Sequence, residues 1–331
     1  MFARTLPALA SVLLASASAA QAPESSATPH RRAHHALVYD EARRVVLLAG
    51  GSTPLDSGRR FVFFNDVWAF DGARWRFVDT SGAEMSGFRL VFEPRAGRIV
   101  SFGGFTGRAT GDLRVLEGGR WRTLATHPEL TAAEPGFVYD SRRSRFVLFG
   151  GGQLRVGDAG WLLDGDRWTR IAASGPPPRE AHAMAYDERR DRVVVFGGLA
   201  GRAPGGSGPP PTLGDTWEFD GVRWEQRTAD GPSPRASPGI AYDTKRGLTI
   251  LFGGMGAAGM LSDTWSWDGS AWKRLAESGP EARAMGYLAY DRHRDRIVLF
   301  GGRRAGWPNG DANDTWEWDG ARWSRVETGS R

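Results

Sequence analysis

Four arginines recur at one place in the chain. Arg32, Arg179, Arg235 and Arg283 each stand seven residues before the tyrosine of a Tyr-Asp pair (Tyr39, Tyr186, Tyr242, Tyr290). Two more pairs, Arg59-Arg60 and Arg303-Arg304, lie in segments of variable length, with Trp307 close to the second. A guanidinium fork matches the two oxygens of a carboxylate, and an indole beside it suits a sugar ring or a bound acid. The alternative for Trp307 is an indole folded over its own loop. Asp56 and Asp311 are the candidate acids of the same segments. Six histidines are present, of which His35 and His182 occupy equivalent positions, four before a tyrosine. Cysteine is absent, which excludes disulfides, thiolate metal sites and cysteine nucleophiles. No Gly-x-Ser-x-Gly, P-loop or His-Glu-x-x-His pattern occurs.

The elements that position these residues follow from an internal repeat. Tyr39-Asp40, Tyr139-Asp140, Tyr186-Asp187, Tyr242-Asp243 and Tyr290-Asp291 are five copies of one pair, and Phe92-Glu93 is a degenerate sixth. Eleven residues after each aromatic comes a glycine pair: Gly50, Gly103, Gly150, Gly197, Gly253 and Gly301, each followed by a second glycine. A tryptophan closes each unit, at 75, 121, 168, 224, 272 and 323. Each unit reads as four short strands, a to d, as in "HHALVYD", "RVVLLAGG", "DVWAFDG" and "RWRFVD". Strand b is apolar on both faces ("FVLF", "VVVF", "IVLF"), as a strand stacked between two layers must be. The c–d turn uses Asp-Gly, which supplies a positive φ.

Composition agrees with an all-β globular chain. Of 331 residues, 40% are hydrophobic and 24% charged, with 45 glycines and 19 prolines. Residues 1–20 read as a secretory signal peptide: Arg4, an apolar run, then small residues up to Ala20. Export to the periplasm or medium is therefore expected, with residues 21–31 as an extension. No later run is long and apolar enough to span a bilayer. The net charge of +5 comes from interleaved arginines and acids, so a nucleic-acid stripe is not expected.

Strand, Gly-Gly, variable loop, aromatic-Asp-Gly and Trp, repeated about every 50 residues, resembles the kelch repeat. The resemblance covers roughly residues 29–328. It implies a six-bladed β-propeller around a central channel. Blades are expected at approximately 32–80, 85–126, 132–174, 179–230, 235–278 and 283–328, each one contiguous repeat. Blades one and six would then meet by side-chain packing alone, unless residues 21–31 add a strand. The repeated tryptophans, tyrosines and glycines are architectural, filling six junctions between blades.

The b–c loops carry the length variation. From the second glycine to the d-strand tryptophan the distances are 24, 17, 17, 26, 18 and 21. These loops share one face of the disc with the d–a loops, and function usually sits on such loops. In kelch relatives, arginines at the place of Arg32, Arg179, Arg235 and Arg283 line the channel mouth and hold acidic ligands. The alternative is that they bond loop carbonyls and cap blade junctions. Arg59, Arg60, Arg303, Arg304 and Trp307 would rim the sector where blades one and six meet. His35 and His182 would stand on opposite walls and form no metal site, which needs three or four converging ligands. The opposite face ("DERRD", "DRHRD") reads as solvated. Aspartates 66, 215, 263 and 314 read as caps on loop backbone.

Copper-radical galactose oxidases belong to the resembled family, but their site needs a cysteine crosslinked to a tyrosine. The expectation is therefore a monomeric, cofactor-free binding module for a glycan, an acidic small molecule or a protein. A metal-independent sugar enzyme of mutarotase or epimerase type on the same face is the alternative.

Overall fold

Each repeat folds into one antiparallel sheet with strand order a-b-c-d, in a computed structural model that describes residues 28–80, 82–152, 160–172, 174–201, 210–228, 230–306 and 308–328. Residues 1–27 (the segment expected to be a signal peptide among them), Trp307 and most of the fourth b–c loop lie outside the described residues. Strands a are Ala36–Asp40, Arg89–Glu93, Gly136–Asp140, Ala183–Asp187, Gly239–Asp243 and Leu288–Asp291. Each packs against strand a of the next blade, and the sixth returns to the first, so six sheets close a ring around a channel. The protein is an all-β six-bladed propeller.

The core is divided among the junctions. One cluster joins Ala36, Val38 and Leu47 of blade one to Phe88, Leu90 and Ile99 of blade two. Equivalent clusters fill the other five junctions. The d-strand tryptophan stands over the last phenylalanine of strand b in the preceding blade. Trp75 lies 5.2 Å from Phe300, Trp224 5.2 Å from Phe149, and Trp323 5.1 Å from Phe252. The indole N–H donates across the same junction to a threonine hydroxyl from Trp75 (Thr315), Trp272 (Thr216) and Trp323 (Thr264), each at 2.9 Å, and to His127 from Trp168 at 3.1 Å. Burying a whole indole against the neighbour with its N–H bonded is why tryptophan fills this place.

The double glycine is a backbone-to-backbone seam. The second glycine donates its N–H to a carbonyl of the next blade: Gly51 to Met85, Gly104 to Ala132, Gly151 to Arg179, Gly198 to Arg235 and Gly254 to Arg283. Gly302 does the same to Arg32, at 2.9 Å. Blades six and one therefore do not meet by side-chain packing alone. Arg32 N–H also donates to Ala312, and His34 N–H to Met285. Ring closure repeats the other junctions because the seam lies in the glycine pair and the d–a loop, which every contiguous repeat owns.

Candidate functional site

The four repeated arginines are buried, at 0–2% exposure. Each guanidinium binds an aspartate of its own blade bidentately: Arg32 to Asp66, Arg179 to Asp215, Arg235 to Asp263 and Arg283 to Asp314, at 2.5–3.0 Å. Nη1 also donates to the first glycine's carbonyl, at Gly50, Gly197, Gly253 and Gly301. Nε donates to a carbonyl two residues before the arginine. The aspartate accepts in turn from the indole of Trp68, Trp217, Trp265 or Trp316. Burial works against these carboxylates, but the arginine and the indole outweigh it and hold all four below the usual range. These arginines lock the glycine seam and present no open donors at the mouth. Their aspartates are the other half of the lock, beyond the backbone capping expected of them.

Blade two departs from the pattern in a compensated way. Met85 replaces the arginine, and Arg114 replaces the strand-c tryptophan. Arg114 donates to Asp112 at 2.5 Å and lies 3.2 Å from the Met85 sulfur, so the ion pair is kept with the cation supplied from strand c. Blade three has Ala132 at the arginine place and Ala159 at the aspartate place, and its Trp161 indole nitrogen is buried without a partner.

On the loop face, the first b–c loop is a hairpin of its own, Ser52–Leu55 paired with Arg60–Phe63. Arg59 and Arg60 are exposed at its tip, and Arg60 pairs with Asp56. In blade six, Arg303 is buried against Asp311 at 2.8 Å, and Arg304 pairs with Glu281 at 2.8 Å. Both candidate acids are therefore neutralised by arginines of their own loops. Trp307 lies outside the described residues.

His35 and His182 are not brought together. His35 packs edge-on against Phe300 at the junction of blades six and one, and His182 against Phe149 at the junction of blades three and four. All four ring nitrogens are buried without a hydrogen-bond partner. Burial first, then Arg32 for His35 and Arg179 for His182, holds both well below the ordinary histidine range. The unfolded chain takes up these protons first, near pH 6.5. Stability is thus full above that pH and falls as the pH drops toward the folded values. His35→Phe keeps the edge-on packing without the nitrogens. It is expected to flatten the fall in melting temperature between about pH 6.5 and 5, measured by scanning calorimetry; an unchanged slope would show that His35 is not its source.

On the opposite face the turns expose Arg43, Glu188, Arg189, Arg292 and His293, as a solvated surface does, but they also hold buried charges that join the blades. Asp40, Asp140, Asp187, Asp243 and Asp291 are buried, and each caps the a–b turn by accepting the N–H of the arginine three residues on. From four turns that arginine reaches the c–d turn of the next blade: Arg143 to Gly221, Arg190 to Gly269, Arg246 to Gly320 and Arg294 to Gly72. A Cβ on any of these glycines would meet the guanidinium at 2.2–2.5 Å, so the Asp-Gly turn also seats a cation from its neighbour. Arg143 and Arg246 add bidentate pairs to Asp191 and Asp295 of the next blade, at 2.6–3.0 Å. The recurring Tyr-Asp-x-x-Arg phrase ("YDEAR", "YDSRR", "YDERR", "YDTKR", "YDRHR") was the available signal for this clasp.

The central channel has a volume of about 270 Å³. At its d–a end, residues 34, 87, 134, 181, 237 and 285 all have positive φ and form a collar. His34 N–H donates to Met285, Gly87 to His34, Glu134 to Gly87, Ser237 to Ala181 and Met285 to Ser237. The His34 and Glu134 side chains pair over Gly87. Burial opposes the Glu134 charge, but His34, Arg89 and Arg303 outweigh it and bring the carboxyl down to about 2. At the other end Arg292 bridges Glu41 (3.1 Å) and Glu188 (2.7 Å). Among the described residues no group of three or more histidines and acids could hold a metal ion, and no helix is long and apolar enough to cross a membrane.

A family model described as the KLHDC2/KLHL20/DRC7 kelch-repeats domain matches residues 143–331, more than half of the chain. The match begins within blade three and takes in the three blades that carry the complete arginine–aspartate lock in succession. No curated protein matches the chain.

Proposed function

Because the chain belongs to the kelch-repeat family, whose propellers typically serve as protein-interaction modules, we propose that it binds an acidic segment of a partner protein through the blade-one hairpin and the adjoining blade-six loop. One observation carries the reading. The framework arginines are buried in ion pairs, whereas the hairpin lifts Arg59 and Arg60 into solvent on the face where loop length varies. Arg304 of the neighbouring blade adds a partly exposed guanidinium, shared with Glu281. An interface of this kind gains orientation and association rate from charge and weakens with salt. The sugar-enzyme alternative needs a carboxylate free to move a proton beside an arginine. The ion pairs of Asp56 with Arg60 and of Asp311 with Arg303 favour binding instead.

The test is a titration of the propeller against an array of acidic and neutral peptides, with sugar acids alongside. Arg59→Glu/Arg60→Glu is expected to weaken acidic-peptide binding by at least about tenfold. The melting temperature should stay within a degree or so, because the pair removed is exposed. Equal binding by parent and variant would move the docking surface elsewhere. The signal-peptide reading adds export to the periplasm or medium, for which the mass of the exported protein is the check. A chain beginning at Gln21 is expected.

A further inference from the structure

We propose that the central channel is a binding site for a small monocarboxylate with an apolar body, anchored by Arg89. Among the described residues, four charged side chains line the channel: Glu41, Arg89, Glu188 and Arg292. At one end Arg292 is shared between Glu41 and Glu188, which leaves Arg89 as the one cation of the described lining without a direct carboxylate partner. Arg89 makes no direct ion pair among the described residues, and its charge helps keep Glu134, which pairs with His34, ionised. Its equivalents in the other blades are Ala36, Gly136, Ala183, Gly239 and Tyr287, so no repeat rule places a cation there. The buried arginines at the repeated d–a place and in the sixth b–c loop are each matched to an aspartate.

Arg89 is also held in place. Nη1 donates to the Tyr287 hydroxyl at 3.0 Å and to the Phe88 carbonyl at 3.3 Å, and the guanidinium carbon lies 4.5 Å from the Tyr287 ring centre. These contacts leave Nε and Nη2 for a guest. His182 lines the same channel with both ring nitrogens buried and unpartnered. The space for its imidazole exists because blade three has a glycine: a Cβ on Gly136 would meet Nε2 at 2.6 Å. Beyond these polar groups the wall is apolar, with Leu90, Phe137, Met184, Ile240 and Leu288. A channel of about 270 Å³ is at the small end for a ligand site, which limits the guest to a short acid.

The experiment is equilibrium dialysis of the whole propeller with radiolabelled hexanoate, and with hexanamide as the neutral isostere. Saturable binding of one hexanoate per chain is expected, with hexanamide at least about tenfold weaker, the loss of one charge-assisted contact. Arg89→Leu should abolish saturation and Arg89→Lys should retain part of it, with near-parental melting temperatures as the control for folding. No saturable hexanoate binding by the parent, equal affinity for the amide, or full binding by a folded Arg89→Leu would each overturn the proposal. The comparison of acid with amide needs no variant, so it decides the matter even if Arg89→Leu does not fold. Because Arg59 and Arg60 do not line the channel, Arg59→Glu/Arg60→Glu should bind hexanoate as the parent does.

Discussion

Gly253→Ala is expected to lower the melting temperature by about 5–15 °C, while Gly97→Ala lowers it by no more than a few degrees. Both glycines have positive φ, +65° and +61°, so both variants carry the cost of an alanine in the left-handed region, about 1–2 kcal/mol. They differ in what the new methyl meets. At Gly97 nothing lies within 4 Å. At Gly253 the Cβ would stand 2.5 Å from the Arg283 carbonyl oxygen and 3.2 Å from that of Leu261. Both are backbone atoms, so no rotamer change relieves the contact, and the blade-five/blade-six junction must open. That displaces the Gly254-to-Arg283 bond and loosens the arginine that holds the Gly301 carbonyl. The sum is on the order of 3–5 kcal/mol, in the range reserved for broken backbone seams and packing faults. Thermal unfolding of the two variants side by side is the check. Similar losses would mean that the conformation of the pair matters and the seam does not.

The ring was legible because its signals sit at fixed offsets. Eleven residues separate the aromatic from the glycine pair whatever the loops do, and tryptophans of strands c and d follow each other closely. These offsets encode contacts between neighbours, and a closed ring is what identical neighbour contacts generate. The role of Arg283 was not legible in the same way. Its partner Asp314 lies beyond the b–c loop, and the corresponding separations are 34, 36, 28 and 31 residues, so no constant spacing links cation to anion. A comparison within the repeat could have shown it. The aspartate always stands two before the strand-c tryptophan, both members are missing together in blade three, and blade two trades one for a new arginine at 114. Arg89 is the opposite case, a residue that departs from the repeat and marks a place where architecture does not dictate the side chain. The a–b clasps were misread because charge in a short turn looks solvated from sequence alone. Only the ring brings the next blade's Asp-Gly turn beneath the guanidinium.

Arg283→Ala should destabilise the propeller by about 3–5 kcal/mol, the range for breaking a buried ion pair by removing one partner. The guanidinium is 1% exposed, and its loss leaves the Asp314 carboxylate with the Trp316 indole alone and the Gly301 carbonyl without its side-chain donor. A double-mutant cycle with Asp314→Ala is expected to show strong coupling, because the second change removes the stranded charge. The pH dependence carries a definite sign. Asp314 is depressed when folded, so its contribution is present above the unfolded carboxylate value of about 4 and is lost as the pH falls through the lower folded value. The difference between parent and Arg283→Ala should therefore narrow in acid. Blade two supplies the decisive variant. Arg283→Met/Trp316→Arg copies the Met85–Arg114 arrangement, in which strand c delivers the cation to the same aspartate. It is expected to be more stable than Arg283→Ala, despite the loss of an indole, because the carboxylate regains its partner. If the grafted pair is no better than the alanine, the aspartate's charge is not what Arg283 balances. The destabilisation would then belong to the bond from Arg283 to the glycine seam.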